Sequence, residues 1–248
     1  MAGRSATGGY DPSGIDLHEW EILESQLEES IPNYDRVNRL MTFGQDSTWR
    51  KNVRNHAKAG MNVLEVGCGP GSFAEDIENV NLTCLDPSEE MLKVARIRVE
   101  KARKSRGEGP AEYVQAIAES IPLSDNTFDR VFCLFSFRDF QDKEKGLEEI
   151  FRVLKPGGQL VICDAGKANW LHGLAGRIWM STVVQLMARY VTKKKDHPWK
   201  GLAKTYSHYG TNGYYRKLLR NVGFERVQGR LLMPFGMASR FRGWKPEK

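Results

Sequence analysis

Apolar residues recur at helical spacing near the start of the chain. Trp20, Leu23, Leu27 and Ile31 fall on one face, with glutamates between them. The spacing predicts an acidic amphipathic helix from Leu17 to Ser30, ended by Pro32. Two further helical stretches follow, Tyr34 to Met41 and about Ser47 to Lys58. Then the pattern changes, and short apolar runs alternate with helical segments. "MNVLEVG", "NLTCLD", "AEYVQAI", "FDRVFCLFSF" and "QLVICDA" read as strands. "SFAEDIEN", "SEEMLKVARIRVEKARK" and "KEKGLEEIFRVL" read as helices. Ser88 is placed as N-cap of the second, and "KPGG" stops the third. This alternation predicts an α/β fold with a mostly parallel sheet covered on both faces. After a helix at about Gly213–Asn221, "FERVQGRL" and "MASRFRGW" are close enough in sequence to pair as an antiparallel hairpin.

Trp170 to Val191 breaks the alternation. It is almost wholly apolar, interrupted mainly by His172, Arg177, Gln185 and Arg189. Its charge-free core, Ile178 to Ala188, is shorter than the roughly 20 residues a bilayer crossing needs. A buried or capping helix is expected, with a helix that touches a membrane as the alternative. Residues 1–14 are Gly/Ser-rich and read as a disordered tail, and 15–58 as a helical cap.

Charge adds little. The chain's net +6 permits contact with anionic lipid or nucleic acid and establishes neither. The four cysteines, Cys68, Cys84, Cys133 and Cys163, sit in or beside apolar runs, without zinc spacing. Packed, reduced thiols fit a cytoplasmic location, as does the lack of a hydrophobic signal core.

The chemistry starts at "VLEVGCGPGSF". Gly67, Gly69 and Gly71 follow the first strand, where ligands sit in open α/β sheets. A dinucleotide site wants G-x-G-x-x-G, but the sixth position from Gly67 is Ser72. The G-x-G-x-G spacing suits an adenosine with an amino-acid tail and no pyrophosphate. Asp86 ends the second strand, where a carboxylate can accept both ribose hydroxyls. Glu65 stands where a dinucleotide fingerprint has an apolar residue, and suits a ligand bearing an ammonium and a sulfonium.

The series E-x-G-x-G-x-G, Asp86, "AESIPLSDNTFD" and "FRVLKPGG" resembles class I S-adenosylmethionine (SAM)-dependent methyltransferases. "YDRVNRLMTFGQDSTWRK" and "NTFDRVFCLFSFRDFQDKEKGLEEIFRVLKPGG" are similar to the ubiquinone/menaquinone biosynthesis C-methyltransferases (UbiE/MenG), over about Tyr34 to Lys167. The resemblance implies a seven-stranded, mainly parallel Rossmann-like methyltransferase sheet with a C-terminal antiparallel hairpin. The methyltransferase domain would span 59–248, with a helical insertion at about 169–204. Cofactor contacts are implied at Glu65, Gly67, Cys68, Gly69, Pro70, Gly71, Asp86, Pro87, Met91, Ala118, Glu119 and Leu134. Two departures stand out. Ile117 replaces the family's Asn or Asp near adenine, and Arg138-Asp139 replaces Arg-Asn after the fourth strand.

Arg138 and Asp139 are the candidate catalytic pair: Asp139 as base, Arg138 to stabilise an oxyanion. Tyr34, Met41, Tyr206 and Tyr209 are candidate acceptor contacts; like Trp179 and Tyr190, the last two could equally fill a core. No histidine, His208 included, shows a partner spacing, and no metal site is read. The implied reaction moves a methyl group from SAM to a small-molecule or prenylated-lipid acceptor, most naturally a ring carbon of a reduced quinone. Peripheral membrane contact is compatible with it. Rival readings are a methyltransferase for another small molecule or RNA, a nicotinamide-dependent oxidoreductase, and a SAM-fold protein without turnover. The Asn/Asp-Pro-Pro-Tyr/Phe motif of amine methyltransferases is absent at "LFSFRDF", which argues against nucleic acid. Oligomeric state leaves no signal.

Overall fold

The computed structural model describes residues 14–202, 205–206, 209–232 and 238–248. The expected tail, apart from Gly14, lies outside them, as does His208. Three helices come first: α1 (Leu17–Ser30), α2 (Tyr34–Met41) and α3 (Gln45–Arg54). The sheet follows as β1 (Asn62–Val66), β2 (Asn81–Asp86), β3 (Glu112–Gln115), β4 (Phe128–Leu134), β5 (Leu154–Ala165), β6 (Glu225–Leu232) and β7 (Ala238–Trp244). Its order is β3-β2-β1-β4-β5-β7-β6. The first five strands run parallel and β7 lies antiparallel to both β5 and β6. The expected architecture is present, hairpin included.

Alternate strand residues point to opposite faces, which gives the sheet two cores. On one face Leu64, Val131 and Ile162 meet α5 (Lys143–Val153) and α8 (Asn212–Val222) through Leu147, Ile150 and Leu219. On the other, Val63, Phe132 and Val161 meet Trp49 and Val53 of α3 and Leu92 and Ala95 of α4 (Glu89–Ser105). Ser88 caps α4 as expected, its hydroxyl accepting from the Met91 N–H at 3.1 Å. All four cysteines are free and buried.

Three expectations need correction. "SFAEDIEN" is no helix; only Ala74–Asp76 turns, as a 3-10 segment. A Cβ on Gly71 would lie 3.0 Å from both Ala95 Cα and Val99 Cγ2, so α4 already fills the space beside the loop. The strand expected at "QLVICDA" begins five residues earlier, at Leu154, taking in "KPGG". Trp170–Val191 is not one buried helix. It is α6 (Trp170–Ser181) and α7 (Val183–Thr192), and Trp170, Leu171, Ile178, Leu186 and Tyr190 are exposed.

Candidate active site

β1 ends at Val66, and the chain turns sharply. The Gly67 and Cys68 N–H groups both donate to the Leu85 carbonyl, at 2.7 and 3.0 Å. Gly67, Gly69 and Gly71 all have positive φ, a region where side chains are strained. Their surroundings differ. A Cβ on Gly67 would come 2.4 Å from Ser136 Cβ, whereas one on Gly69 meets nothing within 4 Å. Gly67 therefore lets the loop after β4 close in, and Gly69 opens toward the cleft.

This contrast gives a prediction. Gly67→Ala should destabilise the fold by several kcal/mol, through overpacking plus backbone strain. Gly69→Ala should lower the melting temperature far less and weaken ligand binding more. Thermal melts with calorimetry on both variants check it, and equal destabilisation would contradict it.

A cleft of about 790 Å³ opens above Gly67 and Gly69. Asp86, Pro87, Met91, Ala118, Glu119 and Leu134 line it, as does Ile117. Among the described residues its lining carries four carboxylates, Glu24, Asp86, Glu119 and Asp139, and no lysine or arginine. The Asp86 carboxylate is nearly buried. It accepts the Gly69 N–H at 2.7 Å and the Ser88 N–H at 3.1 Å. Burial pushes Asp86 up to about 6, against the pull of those two N–H groups. Glu119 accepts the Asp142 N–H at 2.9 Å, which ties the cleft wall to the start of α5.

Four residues from the sequence reading lie behind this surface and do not line it. Glu65 is 1% exposed with one carboxylate oxygen unpartnered, and burial pushes it well above the usual carboxylate range. The Cys68 thiol packs against Cys84. The Pro70 carbonyl accepts from Arg98, and Gly71 packs on α4.

A second cavity of about 640 Å³ adjoins the first. Leu23, Leu27, Tyr34, Phe135 and Asp139 line both. Met41, Trp199 and Leu202 add apolar wall, and Arg138, Asp46 and Arg50 add charge. Arg138 and Asp139 thus reach the same space although they are sequence neighbours. Asp164, fully buried at the end of β5, anchors Arg138 through its N–H at 3.0 Å and its guanidinium at 3.1 Å. Burial works against the charge on Arg138, but the Asp139 and Asp164 carboxylates hold it strongly protonated. Burial pushes Asp139 up to about 6, with Arg138 opposing and Asp164 adding to the rise.

Tyr206 and Tyr209 reach neither cavity. The Tyr206 hydroxyl donates to the Gly166 carbonyl at 2.9 Å, and Tyr209 packs on Tyr215 with centroids 4.6 Å apart. Both fill core, so they are withdrawn as acceptor contacts. The sequence gives no site role to Arg50, nor to the α1 residues Trp20, Leu23 and Leu27, which it reads only as the apolar face of a helix. Arg50 donates to the Ser72 carbonyl at 2.9 Å and faces the Asp35 and Asp46 carboxylates, each at 3.8 Å. Ser72 also accepts from Arg98 and donates to Asp35 at 2.6 Å, which fastens α2 to the glycine loop. Among the described residues no group of three His, Cys, Asp or Glu is arranged to hold a metal ion.

The site suits a cationic nucleoside. Four carboxylates surround the first cleft, and an open glycine backbone floors it. Comparison with known proteins agrees. Residues 21–245 match the model of the ubiE/COQ5 methyltransferase family. Demethylmenaquinone methyltransferase of Desulfitobacterium hafniense is 34% identical, covering 83% of this chain and 82% of that one. The enzyme of that name in Bacteroides fragilis is 29% identical, covering 94% and 96%. The ubiquinone/menaquinone biosynthesis C-methyltransferase UbiE of Shewanella halifaxensis is 30% identical over 91% of each. Among solved structures, a SAM-dependent methyltransferase of Thermotoga maritima superposes with a TM-score of 0.60 at 21% identity, covering 92% of this chain and all of that one. One from Aquifex aeolicus gives 0.54 at 23%, covering 79% and 88%. The chain therefore belongs to the ubiE/COQ5 methyltransferase family and is an enzyme that takes its methyl group from SAM.

Proposed function

We propose that the enzyme methylates a ring carbon of a reduced, prenylated quinone. The observation that carries this reading is the pair of cavities sharing Leu23, Leu27, Tyr34, Phe135 and Asp139. A methyl donor in the carboxylate-lined cleft then faces an acceptor in the second cavity, and the shared residues flank the transfer path. The names of the relatives supply the acceptor class.

SAM would lie with its ribose on Asp86 and its adenine between Ile117, Ala118 and Met91. Ile117 offers an apolar floor and no acceptor for the adenine amino group. The bound cofactor supplies an electrophilic methyl group; the chain aligns the partners and moves a proton. A hydroquinone carbon becomes a good nucleophile when the neighbouring hydroxyl ionises. Asp139 is the base for that proton, and the charge held on Arg138 stabilises the resulting oxyanion. As the carbon–methyl bond forms, the donor's sulfur–methyl bond would break to leave S-adenosylhomocysteine, and the ring carbon then loses its hydrogen as a proton to solvent, restoring the aromatic ring. Transfer from a cation to an anion cancels charge, so the apolar walls favour it.

The test is turnover. Conversion of SAM to S-adenosylhomocysteine should depend on a reduced short-chain quinone that lacks the ring methyl. Its oxidised form, RNA and NADH should not support it. Equal turnover with RNA would overturn the acceptor.

The enzyme would meet its lipid acceptor at a membrane surface. No helix among the described residues is long and apolar enough to cross a bilayer. On α6, Trp170, Leu171, Leu174 and Ile178 present an exposed stripe, with Trp170 at 72%. Tyr190 on α7 is 77% exposed, and Lys193-Lys194-Lys195 follow. An apolar stripe beside lysines is the pattern of an interfacial helix. Vesicles containing phosphatidylglycerol should sediment the protein at low salt. Leu171→Ser/Ile178→Ser should release it with the fold intact, and retention of that variant would contradict the docking.

A further inference from the structure

The hairpin at the sheet edge carries charge that the methyltransferase reading leaves unused. Residues 212–248 hold nine lysines and arginines against two glutamates, which more than accounts for the net +6 of the whole chain. On β6 and β7 the arginines share one face. Arg230 stands directly opposite Arg240, and Arg242 opposite Gln228. Arg226 and Arg242 both lie over the Trp244 ring, at 5.0 and 5.6 Å from its centroid. None of Arg226, Arg230, Arg240 and Arg242 is in an ion pair among the described residues. α8 packs on the other face, where Val227 and Phe241 point. Burial, then the field of Arg242, Arg240 and Arg130, pushes nearby His56 down to about 4, so it adds no charge at pH 7.

Like charges directly across a strand pair cost stability. Charge on an edge strand can serve only to deter unwanted pairing. That accounts for Arg226 and Arg230 on β6, which ends the sheet. It leaves Arg240 and Arg242 unexplained, because β7 is an inner strand paired on both sides. The arginines also disfavour β6 of a second copy as the neighbour in any register that sets arginine against arginine.

We propose that this face and the open edge of β6 form a docking site for an extended acidic segment of another protein. Among the described residues β6 pairs only with β7, which leaves its outer edge open to an added strand. Carboxylates at alternate positions of that strand would share the face of Arg230 and Arg240, within reach of bidentate pairing. A lipid headgroup or a nucleic-acid backbone fits the charge but cannot use a strand edge.

The probe is a labelled decapeptide alternating Glu and Thr, followed by fluorescence anisotropy against the full chain at low salt. Saturable binding is expected, with affinity falling at least about tenfold in Arg230→Glu and less in Arg226→Gln. SAM affinity should be unchanged in both variants, which reports an intact fold. Amide exchange should show protection of residues 225–232 on peptide binding. A peptide with the same residues in two blocks should bind more weakly. No peptide binding overturns the proposal. So does tighter, equally Arg230-dependent binding of oligouridylate or phosphatidylglycerol vesicles, as does peptide binding without protection of β6.

Discussion

Asp139→Asn should slow methyl transfer by about 10²–10⁴-fold while leaving SAM affinity within a few-fold of the parent. The asparagine keeps size and polarity but cannot take a proton. Burial holds Asp139 at about 6, so the parent should lose rate as pH falls below 6, where the carboxyl is protonated and no longer a base. The variant should lack that limb. Its deficit should shrink at high pH, where the hydroquinone ionises unaided. The bland alternative is an ion pair between Arg138 and Asp139, which lie 3.4 Å apart. A merely structural pair would move melting temperature and not the pH profile. Steady-state rates across pH, with calorimetry of SAM alongside, separate the two. An Asp139→Asn enzyme as fast as the parent shows that the base lies elsewhere.

Asp86→Ala should weaken SAM binding by about 1.5–3 kcal/mol, roughly 10- to 150-fold. The loss has two sources. Ribose hydroxyls lose an ionised acceptor, and the Gly69 N–H loses the partner that sets the loop. The pH dependence has a defined sign. Asp86 titrates at about 6 in the free protein, raised mainly by burial. A cationic ligand favours the ionised carboxylate, so affinity is full above about 7. Below the pKa the carboxyl must first lose its proton, and affinity falls by about tenfold per pH unit. The variant should show a flatter profile. Isothermal titration at three pH values checks both points, and unchanged affinity in Asp86→Ala would sink the ribose assignment.

Most of the sheet was legible, and so was the lining of the first cleft by Gly67, Gly69 and Asp86, because these signals are local. Apolar runs with glycine turns give strands, and the position of Asp86 at a strand end follows from the run "NLTCLD" alone. The missing helix at "SFAEDIEN" was not legible. Phe73, Ala74 and Ile77 carry a helical spacing, yet all three are buried beside α4, which packs close on Gly71, and the local pattern carries no sign of that tertiary surrounding. The same limit hid the Arg138–Asp164 anchor, whose partners are 26 residues apart, and the Arg50–Ser72 clamp, whose partners are 22 apart. Tyr206 and Tyr209 failed for the opposite reason. Aromatics in an apolar stretch look alike whether they wall a pocket or fill a core, and only packing decides. The apolar run at α6 left a buried or capping helix and a membrane-touching one both open, because composition alone does not say which face is covered; the exposed Trp170, Leu171 and Ile178 exclude only full burial.

The central claim is methylation at carbon, and one measurement bears on it most directly. The enzyme is incubated with SAM carrying a ¹³C-labelled methyl group and a reduced short-chain quinone lacking the ring methyl. The extracted product is then examined by carbon NMR and mass spectrometry. The account predicts one added methyl, with its ¹³C signal in the aryl-methyl range and its label retained after oxidation to the quinone. A signal in the methoxy range, or no labelled product from an enzyme that demonstrably binds SAM, would contradict it.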